Sequence, residues 1–313
     1  MYKLLVTTAV ASGMILTAGS AFAGNKPKYP KPTVPEPPCV ECLNDAINIE
    51  QLVSGLQVAF NSISEVGDVT DVTQTALNAA NLISLDGMDL GEGGVADGIG
   101  KVVQTTNASL AQQADNDLFG GTKSALENIE QAATNVVNVF SGPEVNEIVQ
   151  AANSSQWANN VITFGKGGYD ADALYDADDV LLPTQSALNA VNLITVGMLN
   201  GSGNQYSNSA QEAINSMTYA GGGIMPFGYG GGGYNHSIDI YDVGQTATNI
   251  ANVVSATGIA GVDCGCVSVL QNAAADQYAF NDLSGSGWNT DLNNIVQNAT
   301  NIANSISFLA AAD

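Results

Sequence analysis

Between Val269 and Leu283 every second residue is apolar, small or an amide: Val269, Gln271, Ala273, Ala275, Gln277, Ala279, Asn281 and Leu283. Successive strand side chains point to opposite faces, so a strand would carry this whole set on one side. The same alternation recurs along the chain as Gln-x-Ala-x-Asn, opened by ten of the sixteen glutamines. Five copies are short and begin at Gln57, Gln112, Gln156, Gln211 and Gln277. Five are long: QTALNAANLIS at Gln74, QAATNVVNVFS at Gln131, QSALNAVNLIT at Gln185, QTATNIANVVS at Gln245 and QNATNIANSIS at Gln297. Short and long copies alternate strictly. The pattern predicts five tandem units of roughly 55 residues, each pairing a short copy with a long one.

The short copies read as strands, with Val58 and Phe60, or Tyr278 and Phe280, flanking small and polar residues. The long copies also fit a helix. Asp291, Leu292, Ile295, Ala299, Ile302 and Ile306 have helical spacing after an N-cap, and so do Asp239, Ile240, Val243, Ala247, Ile250 and Val254. Asn is a poor helix former and is abundant here. The expectation is an all-β chain, a β-solenoid of five units, with an all-α helical repeat as the alternative.

The chain divides into 1–23, 24–47 and 48–313. Residues 1–23 have a secretory signal pattern: Lys3, an apolar stretch, then Ala21-Phe22-Ala23. Residues 24–47 begin with GNKPKYPKPTVPEPP, an extended Pro-rich linker. Cys39 and Cys42 follow as CxxC, and Cys264 and Cys266 form a CxC. In an exported chain these are disulfide candidates of open connectivity. Residues 48–313 are the repeat body. Gly-rich segments at 87–100, 165–179 and 221–236 read as loops. The second carries Asp170, Asp172, Asp176, Asp178 and Asp179, a candidate calcium site outside the cell. A plain solvated acidic loop is the other reading.

The net charge of −23, with no arginine, disfavours nucleic-acid binding and docking on anionic lipid. It also opposes close approach of copies, so low pH, salt or divalent cations should promote association. No other stretch is long and apolar enough for a spanning helix. The single histidine, His236, sits in a Gly/Tyr loop with no nucleophile pattern to support catalysis. The expectation is a protein that is not an enzyme and needs no cofactor, calcium apart.

Stacking strand on strand would bring identical amides into register. Each amide has both donor and acceptor, so the residues expected to form ladders are the ten pairs Gln57 and Asn61, Gln74 and Asn78, Gln112 and Asn116, Gln131 and Asn135, Gln156 and Asn160, Gln185 and Asn189, Gln211 and Asn215, Gln245 and Asn249, Gln277 and Asn281, and Gln297 and Asn301. These repeats resemble the curli-type subunits of bacterial functional amyloids, and more loosely the Fap-type subunits. Curlin repeats carry Gln, Gly two on, Asn five on and Ala seven on. Here Gln245 is followed by Ala247, Asn249 and Ala251, with Ala in place of Gly and Asn one residue early. The resemblance implies a secreted or surface-exposed bacterial β-solenoid that self-associates into fibres or biofilm matrix, with a secretion or nucleator protein as partner. The alternative is a monomeric surface adhesin or calcium-binding module working through its acidic and Gly-rich loops.

Overall fold

The computed structural model describes residues 47–66, 69–85, 99–106, 110–120, 126–164, 180–220, 239–259, 268–286 and 291–308. Among these there are strands and no helices, and every strand pairing is parallel. The strands wind into five stacked coils. β1 (Ile47–Val53), β2 (Leu56–Val66) and β3 (Val69–Ser84) form the first coil. β4 (Ile99–Thr106), β5 (Leu110–Gly120) and the start of β6 (Leu126–Phe164) form the second. The rest of β6, β7 (Val180–Leu181) and the start of β8 (Thr184–Ala220) form the third. The rest of β8, β9 (Asp239–Tyr241) and β10 (Gly244–Ile259) form the fourth. β11 (Ser268–Ser286), β12 (Asp291–Asn293), β13 (Val296–Ile302) and β14 (Ser305–Phe308) form the fifth.

Each coil has two long sides, one built on a short copy and one on a long copy. Short copies stack on short copies, as in Gln112↔Gln156↔Gln211, and long on long, as in Gln131↔Gln185↔Gln245. Equivalent residues in adjacent coils lie between 44 and 66 positions apart in sequence. The strand cores stay in register, so the differences in length fall in the segments between them.

The core between the two sides is layered. Its middle is alanine: Ala76, Ala114, Ala133, Ala158, Ala187, Ala213 and Ala247 are all buried against one another. Small side chains here let the two sides approach closely. Larger apolar residues fill the two ends of the cross-section. Leu118, Leu126, Ile129, Ile162 and Met217 pack at one end, and Phe140, Val145, Ile148, Ile194 and Leu199 at the other. Burial of such side chains is worth about 1.5–3 kcal/mol each. At the second end the stacked turns come so close that a Cβ on Gly197 would run into the Pro143 carbonyl oxygen.

The all-α alternative is overturned, and the backbone shows why the long copies mimic helices. Two columns of residues have left-handed backbone, each interrupting strict alternation. Asn81, Asn138, Asn192 and Asn252 form one, with φ of 53, 56, 57 and 62°. Asp71, Asn128, Leu182, Asp242 and Asn294 form the other, with φ of 54–56°. In the second column the left-handed residue points outward and the next inward side chain comes three residues on rather than two. In the first the Asn itself points inward, so two consecutive residues face the core and the next inward apolar side chain comes three on from the first of them. Val137 and Phe140 are both buried across Asn138, as are Ile240 and Val243 across Asp242. The 3–4 spacing is therefore a strand with kinks. A second correction concerns the loop read at 87–100: Ile99 and Gly100 belong to β4, and Ile99 is buried.

Leu182 is the exception in its column, since Asn and Asp tolerate this conformation and other L-residues lose about 1–2 kcal/mol in it. Its side chain is half exposed, so little packing would be lost on replacement. We predict that Leu182→Asn raises stability by about 1 kcal/mol, read as a higher urea midpoint. A lower midpoint would contradict the strain argument.

Candidate functional site

The interior holds six columns of amide side chains, each five residues tall. Three are glutamine: Gln51, Gln104, Gln150, Gln205 and Gln271; Gln57, Gln112, Gln156, Gln211 and Gln277; Gln74, Gln131, Gln185, Gln245 and Gln297. Three are asparagine: Asn61, Asn116, Asn160, Asn215 and Asn281; Asn78, Asn135, Asn189, Asn249 and Asn301; Asn81, Asn138, Asn192, Asn252 and Asn304. Within each column every neighbouring pair is joined by a side-chain hydrogen bond of 2.5–3.0 Å. In the middle coils these amides are essentially out of contact with water.

The second N–H of an amide crosses the core. Asn135 Nδ2 donates to the Trp157 carbonyl at 2.7 Å, and Asn160 Nδ2 to that of Ser186 at 2.8 Å. Gln131 Nε2 reaches the carbonyls of Asn116 and Val161 at 3.3 and 3.2 Å. The Gln of a long copy thus faces the Asn end of the short copy opposite, and the Asn faces its Gln end. Alanine meets alanine between them. This explains why short and long copies alternate: each supplies one wall of the same motif run in the opposite direction. The network leaves Ser154 Oγ as the buried side-chain polar atom without a partner among the described residues.

The columns have direction. In every glutamine column Nε2 donates to the glutamine of the coil before, as Gln131 does to Gln74 and Gln185 does to Gln131. In every asparagine column Nδ2 donates to the asparagine of the coil after, as Asn135 does to Asn189 and Asn189 does to Asn249. Chains of hydrogen bonds polarise one another. Three columns run each way, so their dipoles oppose.

All ten expected Gln and Asn pairs lie in these columns. Two further columns were not expected from the sequence. The Gln51 column lacks the Ala-x-Asn sequel, but four of its members stand six residues before a short-copy Gln, as Gln150 does before Gln156. The Asn81 column is visible as a second Asn three residues after the first in every long copy. Of the other candidates, Asp170, Asp172, Asp176, Asp178, Asp179, Cys39, Cys42, Cys264, Cys266 and His236 lie outside the described residues, as do the signal pattern and the Pro-rich linker. No cluster of metal-ligating side chains occurs among the described residues, and no described helix is long and apolar enough to cross a membrane.

An amide in the middle of a column cannot be replaced by a carboxylate without leaving partners unmet. Asn189 accepts from Asn135 and donates to Asn249 and to the Glu212 carbonyl. Asn189→Asp keeps the acceptor and loses both donations. We predict a loss of about 3–5 kcal/mol at neutral pH, partly recovered in acid, where a protonated acid can donate once. Denaturation midpoints at the two pH values check this. An unchanged midpoint at neutral pH would contradict the role assigned to the column. Compared with known proteins, the chain matches no family model, no curated protein and no solved structure.

Proposed function

We propose that the chain is an exported structural protein that self-assembles into extracellular or surface fibres, with the interior of the solenoid continued from one molecule to the next. One observation carries this reading. Among the described residues the amide columns stop at the first and fifth coils with a hydrogen-bonding side unused, and the strand edges there pair on one side. An exposed sheet edge is a template for another chain. Repeat arrays that remain monomeric need polar capping units at their ends. Here the end coils present the same motif as the middle ones, together with exposed Leu52, Leu56, Val58, Phe60, Tyr278 and Phe280. The role is mechanical rather than catalytic.

Acidity sets the conditions. The net charge of −23 makes copies repel one another. Burial pushes the carboxyls of Asp115 and Asp117 up from their usual range, and for Asp117 the neighbouring Asp115 charge adds to the rise. Each is harder to ionise in the folded chain than in the unfolded one. The resulting penalty is present above the folded pKa and relieved as pH falls through it, so acid favours the folded, stackable state at these positions. The chain from Gly24 onward should form fibres faster at about pH 4–5 than at about pH 8, and faster at about 0.5 M salt than at low salt. Sedimentation and electron microscopy would follow this. A soluble monomer under all of these conditions would contradict the proposal and favour the monomeric adhesin.

A further inference from the structure

We propose that assembly is head to tail, the fifth coil of one molecule stacking in register on the first coil of the next to give a polar fibre. This rests on the fibre-forming reading above and adds its geometry. The direction of the columns makes the two ends different. At the first coil Gln51, Gln57 and Gln74 have no preceding glutamine to receive an N–H, and Asn61, Asn78 and Asn81 have no described donor to their carbonyl oxygens. At the fifth coil Gln271, Gln277 and Gln297 have carbonyl oxygens that no described residue reaches, and Asn281, Asn301 and Asn304 have no following asparagine to receive an N–H. Set the fifth coil against the first and all six columns meet donor to acceptor. Each junction then has the bonding already present between coils inside the molecule.

The rival arrangement joins two like ends through a two-fold axis. Centred on Ala59 and Ala76, it would set Gln57 against Asn61 and Gln74 against Asn78 of the second copy, so these four columns find partners. The outer two do not. Gln51 lies eight residues before Ala59, and the equivalent position on the other side falls past the end of β2 at Val66. Asn81 lies opposite the corner at Asp71, at the other end of the cross-section. A second two-fold, along the length of the cross-section, would set Gln51 against Asn81, Gln57 against Asn78 and Asn61 against Gln74 and so join all six columns, but it lays short copies antiparallel on long ones. Head-to-tail stacking alone continues the parallel, like-on-like pairing found between the coils inside the molecule.

The outer surface gives an independent match. Two adjacent outward columns run Val58, Gln113, Trp157, Glu212, Tyr278 and Phe60, Asp115, Asn159, Ile214, Phe280. Their inner positions are mixed, with carboxylates at Asp115 and Glu212. Their outermost positions are apolar at both ends, and Tyr278 and Phe280 already stack at 5.8 Å between ring centres. Head-to-tail contact places these rings one strand spacing from Val58 and Phe60, where cross-strand aromatic pairs are stabilising.

The test blocks one end at a time. Gln57→Glu with Gln74→Glu keeps the acceptor for the second coil and turns the outward N–H into a carboxylate oxygen, which would face the Gln277 and Gln297 carbonyls of the next molecule. Asn281→Asp with Asn301→Asp does the same at the fifth coil. A different fifth-end block, Tyr278→Lys with Phe280→Lys, leaves every amide in place should the acidic variant fail to fold, as judged by circular dichroism. Each blocked chain alone should sediment as a monomer at neutral pH in conditions where the unaltered chain forms fibres. An equimolar mixture of a first-end and a fifth-end variant should stop at a one-to-one dimer. Dimers of either variant alone, or a mixture that stays monomeric, would overturn the head-to-tail assignment while leaving fibre formation intact. Failure of the unaltered chain to assemble would instead overturn the reading on which it rests.

Discussion

A primary amide sealed away from water needs partners for two N–H groups and a carbonyl, and a stack of identical amides supplies them without limit. That requirement governs this molecule. In the three middle coils each column amide is joined to its own kind above and below, and all but Asn116 also donate to a backbone carbonyl across the core. An amide left without them costs about 1–3 kcal/mol, so one misplaced coil would strand a whole tier of six. Register is therefore enforced by hydrogen bonding as well as by hydrophobic packing, and the enforcement is cumulative along the stack.

The rest of the architecture follows from keeping the columns straight and close. Alanine occupies the middle because anything larger would separate the walls and break the bonds from side chain to opposite carbonyl. Most bulky apolar residues are displaced to the two ends of the cross-section, where the chain turns and space is available, with Leu110, Val137 and Val191 in a separate layer between. The turns use Asn and Asp, Leu182 apart, because left-handed backbone is needed at two points in each of the first four coils and at Asn294 in the fifth, and at one corner those same Asn side chains form another column. The segments between strands can vary in length because no column passes through them. A solenoid built this way has no internal reason to stop at five coils.

The fold class was legible because the Gln-x-Ala-x-Asn cores keep a period of two, which a helix cannot reproduce. The tandem count was legible because the short and long copies differ and alternate. The helical stripes through Ile240 and Val243, and through Leu292 and Ile295, misled because a single left-handed residue inserts an odd step into a strand, and the sequence does not announce backbone handedness. The Gln51 column escaped notice because its members lack a shared neighbour. Its five residues are united by position in the coil, and in the second coil the spacing from Gln104 to Gln112 is eight rather than six. Column direction was not legible at all, since it depends on which way each amide turns toward the opposite wall.

The central claim is that the columns are continuous, dry and hydrogen-bonded, and side-chain amide hydrogen exchange tests it most directly. Gln113 is the glutamine outside the columns and points outward, toward Asp115, so it serves as an internal reference. On the chain carrying ¹⁵N-labelled Asn and Gln, the side-chain N–H groups of Gln131, Asn135, Gln185 and Asn189 should exchange only as fast as the whole molecule unfolds, while those of Gln113 exchange at once. Exchange of the column amides at the rate of Gln113 would mean that water reaches them, and would contradict a dry, continuously bonded core.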